Sequence, residues 1–155
     1  FDTVLLDDAT AGLSVDLAAG TATGQGNDQL IGIEAVVAGA FADTLVGSAA
    51  DESFCGGGGN DWIDGGAGSD VAEFGEGARL ARLKVNLVDG TATSASAGTD
   101  TLVGIEHVSG SAHDDHIVGD DVANRLAGQS GNDTLEGGAG KDTIEGGGGN
   151  DTLFG

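Results

Sequence analysis

Residues 128 to 154 read GQSGNDTLE, GGAGKDTIE and GGGGNDTLF, three nine-residue units without a gap. The shared pattern is Gly, Gly, any, Gly, any, Asp, any, apolar, any. Glycine enters φ > 0 freely, so three of them within four places describe a backbone turning too tightly for side chains. The last three places, as in Thr134-Leu135-Glu136 and Thr143-Ile144-Glu145, alternate polar and apolar like a half-buried strand. Each unit is therefore a loop followed by a minimal strand, and a chain of such units must stack to bury anything.

The same frame extends upstream through weaker copies. QLIGIEAVV, AGAFADTLV, GSAADESFC, GGGGNDWID and GGAGSDVAE place Glu34, Asp43, Glu52, Asp61 and Asp70 at position six. From 101 onward the same position holds Glu106, Asp115, Asn124, Asp133, Asp142 and Asp151. All of these side chains carry oxygen ligands.

A longer period overlies the short one. VDLAAGTATG (15–24) recurs as VNLVDGTATS (85–94), and QLIGIEAV (29–36) as TLVGIEHV (101–108), with SASAGTD carrying a two-residue insertion. The repetition divides the chain into two blocks, 1–74 and 75–155. Each opens with two short strands around a Gly-containing turn, hairpins over 15–24 and 83–94 that are expected to cap the open apolar end of a stack. FDTVLL resembles SDVAEF at 69–74, and Gly155 would begin a further unit, so the chain reads as a fragment of a longer array.

Six loop residues and three strand residues make half a turn, so two units close one turn of a flattened parallel solenoid and strands stack two units apart. The expected fold is all-β, a parallel β-roll in two tandem blocks. The eighth positions then form inward columns, Val36, Phe54 and Ala72 facing Leu45 and Ile63, and Val108, Leu126 and Ile144 facing Ile117, Leu135 and Leu153.

That stacking also piles Asp115, Asp133 and Asp151 on one edge at the inter-strand spacing of about 4.8 Å. Unpaired, two such carboxylates oppose each other by roughly 3 kcal/mol at an effective dielectric of 20. The whole chain shares the problem, with five Lys and Arg against 26 Asp and Glu, a net charge of −21. With 31 Gly, one Trp and no Tyr, its core must be thin. Such a composition approaches that of disordered chains, so folding calls for a neutralising ligand. Nucleic acid and anionic membrane are poor partners for this charge, and no apolar run is long enough to span a bilayer. Calcium suits the pattern, because it takes about 6 to 8 oxygens in flexible geometry, backbone carbonyls among them, whereas magnesium demands an octahedron. The plain alternative is that the acids form Asx-turns on a solvated edge.

The nonapeptide resembles the calcium-binding repeat of RTX proteins, the hemolysin-type family. The resemblance implies a parallel β-roll with several Ca²⁺ ions held between loops two repeats apart. It also implies a bacterial protein secreted in an unfolded state by a type I system, folding on meeting extracellular calcium. Carried onto this chain, it pairs Asp133 with Asp151, Asp115 with Asp133, and Asp43 with Asp61, with Asp70 and Asp142 in the other columns. Loop ligands follow at Gly56, Gly58, Asn60, Gly65, Asn124, Gly128, Ser130, Asn132, Gly137, Ala139, Gly146, Gly148 and Asn150. Asn124, Glu34, Glu52 and Glu106 depart from the pattern and line weaker sites.

Other features carry less. His107, His113 and His116 are close in sequence, but His107 and His116 share position seven of successive units and would face opposite sides of a roll, which argues against a transition-metal site. Trp62 takes the same outward position, a small contact patch. Cys55 has no partner for a disulfide within the chain and reads as a small core residue. No nucleophile with a base stands out among acids the loops already explain, so any catalysis is expected in other domains. The alternative function is calcium-dependent adhesion or carbohydrate binding, opposed by one Trp, no Tyr and little positive charge. Weak end-to-end self-association is expected wherever the stack is left open.

Overall fold

The computed structural model describes residues 1–75 and 82–155. The stretch 76–81, at the start of the second expected block, lies outside them. The strands are Thr3–Leu5 (β1), Ser14–Asp16 (β2), Thr21–Thr23 (β3), Asn27–Gln29 (β4), Ala35–Val37 (β5), Thr44–Val46 (β6), Ser53–Cys55 (β7), Trp62–Asp64 (β8) and Val71–Glu73 (β9). They continue as Leu83–Asn86 (β10), Thr91–Ser94 (β11), Gly98–Val103 (β12), His107–Ser109 (β13), His116–Val118 (β14), Arg125–Ala127 (β15), Thr134–Glu136 (β16), Thr143–Glu145 (β17) and Thr152–Phe154 (β18).

Successive nonapeptide strands alternate between two sheets. One is seven-stranded and parallel throughout, in the order β1-β5-β7-β9-β13-β15-β17. The other has eleven strands, β18-β16-β14-β10-β11-β12-β8-β6-β2-β3-β4. Register is the expected one of two units: His116 pairs with Thr134, and Thr134 with Thr152. This is a β-roll.

The middle residue of each strand points inward because side chains alternate across a strand. Val36, Phe54, Ala72, Val108 and Leu126 are buried in the seven-stranded sheet, facing Leu45, Ile63, Ile117 and Leu135 of the other. The two expected columns of the first sheet are in fact one, since Ala72 pairs directly with Val108. Ile144 is only partly buried and Leu153 about half exposed, because each sits on an outermost strand with a neighbour on one side alone.

The hairpins form where expected, turning at Gly20 (φ 67°) and Gly90 (φ 63°), and bury Val15, Ala22, Val85 and Ala92. Each continues into a third antiparallel strand, β4 or β12. The two antiparallel units are placed differently. The first unit ends the larger sheet with β4 outermost, whereas the second lies inside it, β10 against β14 and β12 against β8. There it joins two stretches of roll rather than closing one.

Candidate metal-binding edges

Every loop delivers its position-six side chain to the edge of the roll just before a strand. Asp43, Asp61, Asp115, Asp133 and Asp151 precede strands of the larger sheet, and Glu34, Glu52, Asp70, Glu106, Asn124 and Asp142 precede strands of the smaller. The acids stand in ladders. Asp43 donates its backbone N–H to Asp61 Oδ1 (2.8 Å), Asp115 to Asp133 Oδ1 (2.8 Å), and Asp133 to Asp151 Oδ1 (3.0 Å). On the opposite edge Glu52 donates to Asp70 Oδ1 (2.8 Å), Asp70 to Glu106 Oε2 (3.0 Å) and Asn124 to Asp142 Oδ1 (3.0 Å). These bonds span rungs, and Asp43, Glu52, Asp115 and Asn124 also accept an N–H from their own loops, from Gly39, Ser48, Ser111 and Asp120.

Position-one glycine makes room for the acid. A Cβ on Gly128 would overlap Asp133 Oδ2, and the same holds for Gly56 with Asp61 and Gly146 with Asp151. Position-four glycine has a different reason: Gly131 has φ 131°, and a Cβ there would stand 2.5 Å from the His113 carbonyl carbon.

A second ladder runs in the reverse sense along position five. Asn150 donates its N–H to Asn132 Oδ1 (2.9 Å), Asn132 to Asp114 Oδ1 (2.8 Å), and Ser69 to Asp51 Oδ1 (2.9 Å). The amide oxygens of Asn60 and Asn132 are thus engaged with the next rung, Asn60 accepting from Thr99 N–H. Ser130 and Gly148, one rung apart, form a parallel bridge.

The edge is electrostatically unfinished. Asp43, Glu52, Asp61, Asp70, Asp115 and Asp133 are all buried. Among the described residues the ion pairs are Arg82–Asp114, His116–Glu136 and Arg125–Glu145, none at a position-six acid. Asp61, Asp70 and Asp133 each bury an Oδ2 that accepts no hydrogen bond. Burial pushes the Asp61 carboxyl up to about 7 and that of Asp70 to about 6, with neighbouring acids adding to both. Burial also raises Asp43 and Asp133. A buried carboxylate oxygen without a donor needs a proton or a cation.

The donor set decides which cation fits. No three His, Cys, Asp or Glu side chains converge among the described residues. The oxygen donors these edges offer are the stacked carboxylates and the backbone carbonyls of the loops. Hard oxygens from carboxylate and carbonyl at a loosely defined number suit calcium. The histidines are dispersed: His107 lies in the smaller sheet with Nε2 2.7 Å from Ser69 Oγ, and His116 in the larger beside Glu136. Trp62 is exposed and Cys55 buried.

One ladder member escapes the nonapeptide count. Asp100, buried on β12, accepts the N–H of Asp61 at Oδ1 (3.0 Å) as though it were the next position six. Its signal is AGTDTLV at 97–103, which matches AGKDTIE from the third place on; Ala95 and Ser96 stand where glycines mark the unit.

Comparison with curated proteins finds no match to the chain. A family profile described as the RTX calcium-binding nonapeptide repeat (4 copies) matches residues 23–61, 37–72, 56–79 and 118–153, together more than half of the sequence. With its nine-residue frame, two-unit register and stacked carboxylate edges, the chain belongs to the RTX calcium-binding nonapeptide repeat family.

Proposed function

We propose that this chain is a calcium-folded module of a larger secreted bacterial protein, reaching its structure only after type I export into calcium-containing surroundings. The observation that carries this reading is the buried, unpartnered Oδ2 of Asp61, Asp70 and Asp133. Asp43, Asp61, Asp115, Asp133 and Asp151 would hold ions on one edge, Asp70 and Asp142 on the other. Carbonyls of the glycine loops, at positions such as Gly56, Gly58, Gly65, Gly128, Gly137, Ala139, Gly146 and Gly148, complete the sphere.

Calcium supplies positive charge and many oxygen contacts where stacked acids otherwise repel. The protein's own part is positioning: at Asp61, Asp70 and Asp133 an N–H-to-carboxylate bond fixes Oδ1 and leaves Oδ2 for the ion. Because the ligands meet only when rungs stack, binding stabilises the folded state by mass action. Affinity in the extracellular range, roughly 10⁻⁴ to 10⁻³ M, would keep the chain open inside a cell. Catalysis, where the parent protein has it, resides in other domains.

Calcium titration into the chelated chain, followed by far-UV circular dichroism and Trp62 fluorescence, is the test. Cooperative gain of β-structure is expected. A full β-spectrum in excess chelator sinks the reading.

A further inference from the structure

Residues 95–103, ASAGTDTLV, bond to the loop and strand at 56–65 as one nonapeptide bonds to the one stacked on it. Gly59 N–H donates to Ala97 O (2.7 Å), as Gly131 donates to Gly148 O (2.8 Å). Thr99 N–H donates to Asn60 Oδ1 (2.8 Å), as Asn150 donates to Asn132 Oδ1 (2.9 Å). Asp61 N–H reaches Asp100 Oδ1 at 3.0 Å, as Asp133 reaches Asp151 Oδ1 at 3.0 Å. Thr101 N–H reaches Asp61 O, as Thr152 reaches Asp133 O, both at 2.8 Å. Gly65 N–H donates to Val103 O (2.9 Å), as Gly137 donates to Phe154 O (2.8 Å). Gly98 takes the position-four conformation, φ 109°. This unit lies outside every segment the family profile matches.

A second observation is independent of that bonding. Asp61 and Asp133 are each the middle acid of three, Asp43-Asp61-Asp100 and Asp115-Asp133-Asp151, and in each the Oδ2 is buried without a donor. The acids that begin the ladders differ. Asp43 Oδ2 accepts from Gly39 N–H (3.3 Å), and Asp115 Oδ2 from Ser111 N–H (2.6 Å). Asp43 and Asp115 take the N–H of Leu13 and Leu83, from the antiparallel units, at Oδ1, whereas Asp61 and Asp133 have a nonapeptide-like loop on either side and leave Oδ2 orphaned; for Asp61 the second of these loops is 95–100.

Resting on the calcium reading above, we infer that Asp100 completes a further calcium site with Asp61 and with carbonyls of the loops at 56–61 and 95–100. The site lies at the join between the two blocks. An ion there fastens β12, which belongs to the second block's antiparallel unit, onto β8 of the first. The blocks then fold as one calcium-dependent body instead of two.

Trp62 gives this site a private reporter. It follows Asp61, pairs with Thr44 and Thr101, and is the only Trp in a chain without Tyr. Terbium in place of calcium should emit by transfer from Trp62 mainly at the two sites flanking Asp61. Asp100→Asn keeps an Oδ1 for the Asp61 N–H, so the rung can still stack. Asp28→Asn, at the matching exposed place on β4, is the control. Native mass spectrometry of Asp100→Asn should show one calcium fewer than the parent, with Trp-sensitised terbium emission lower by about twofold. Asp28→Asn should change neither, and circular dichroism at saturating calcium should report whether each variant is folded. Equal ion counts and equal emission in Asp100→Asn overturn the inference and leave the calcium module standing. Loss of several ions together with the fold overturns it as well, since Asp100 would then be a structural support. A parent chain that binds no calcium overturns both.

Discussion

The backbone N–H of Asp133 donates to Asp151 Oδ1 at 3.0 Å, while Asp133 itself receives the N–H of Asp115 at 2.8 Å and buries its Oδ2. Asp133 thus works in two inter-rung contacts and Asp151 in one. Asp133→Ala should raise the calcium midpoint of folding more than Asp151→Ala does. Equal midpoints by calorimetry would mean that ions are not shared along the ladder.

Gly131 and Gly58 separate two roles of loop glycine. An Ala at 131 would carry a side chain at φ 131° into the His113 carbonyl, whereas at 58 the nearest atom to a new Cβ is Ala40 Cα at 3.7 Å. Gly131→Ala should cost on the order of 1–3 kcal/mol in saturating calcium. Gly58→Ala should stay within about 0.5 kcal/mol, since its carbonyl is untouched. Thermal melts of the two variants side by side measure the difference.

Acid should partly replace calcium. In the metal-free fold burial lifts Asp61 to about 7, Asp70 to about 6 and Asp100 to about 6, from 3.8. Between the unfolded and folded values the folded chain binds more protons. Its stability is therefore greatest in acid and is lost as pH rises through about 6 to 7. The chelated chain should show more β-structure at about pH 5 than at pH 8. Calcium binding near pH 6 should release protons, read as a buffer-dependent heat. No difference between the two pH values would show that other charges dominate.

The nine-residue frame made the roll, its two-unit register and the inward columns legible, because loop length and strand period leave one way to stack. Backbone donors to the carboxylates were not legible. An N–H leaves no mark in a sequence, so acids such as Asp61 and Asp133 look wholly unpaired when one oxygen of each is already bonded. Asp100 was obscured for a related reason. Ala95 and Ser96 replace the glycines that announce a unit, and the strand reaches β8 only after two antiparallel passes. The two-residue insertion in the sequence falls within the stretch that forms this rung.

End-to-end pairing is the fourth expectation. Among the described residues β18 pairs only with β16, β17 only with β15, β1 only with β5 and β4 only with β3. Within the chain, β8 continues into β12 and β7 into β9, strands that correspond by repeat to the open edges β18, β4, β17 and β1. A second copy can extend both sheets in that register, covering Leu153 and Phe154, which are about half exposed. Sedimentation velocity should show calcium-dependent association, lost when charged residues are appended after Gly155. Strictly monomeric chains at high concentration in both forms would mean the edges are closed in solution.

The seven-to-eleven mismatch between the sheets has a geometric outcome. Between β9 and β13 there is no intervening strand, yet between β8 and β14 there are three, β12, β11 and β10. At about 4.8 Å per strand the larger sheet travels roughly 14 Å farther across the join than the smaller one. Two facing layers of unequal length predict a roll that turns at the join, its smaller sheet on the inside of the curve. An array of such blocks would coil, with a pitch written by how often the antiparallel unit interrupts the nonapeptides.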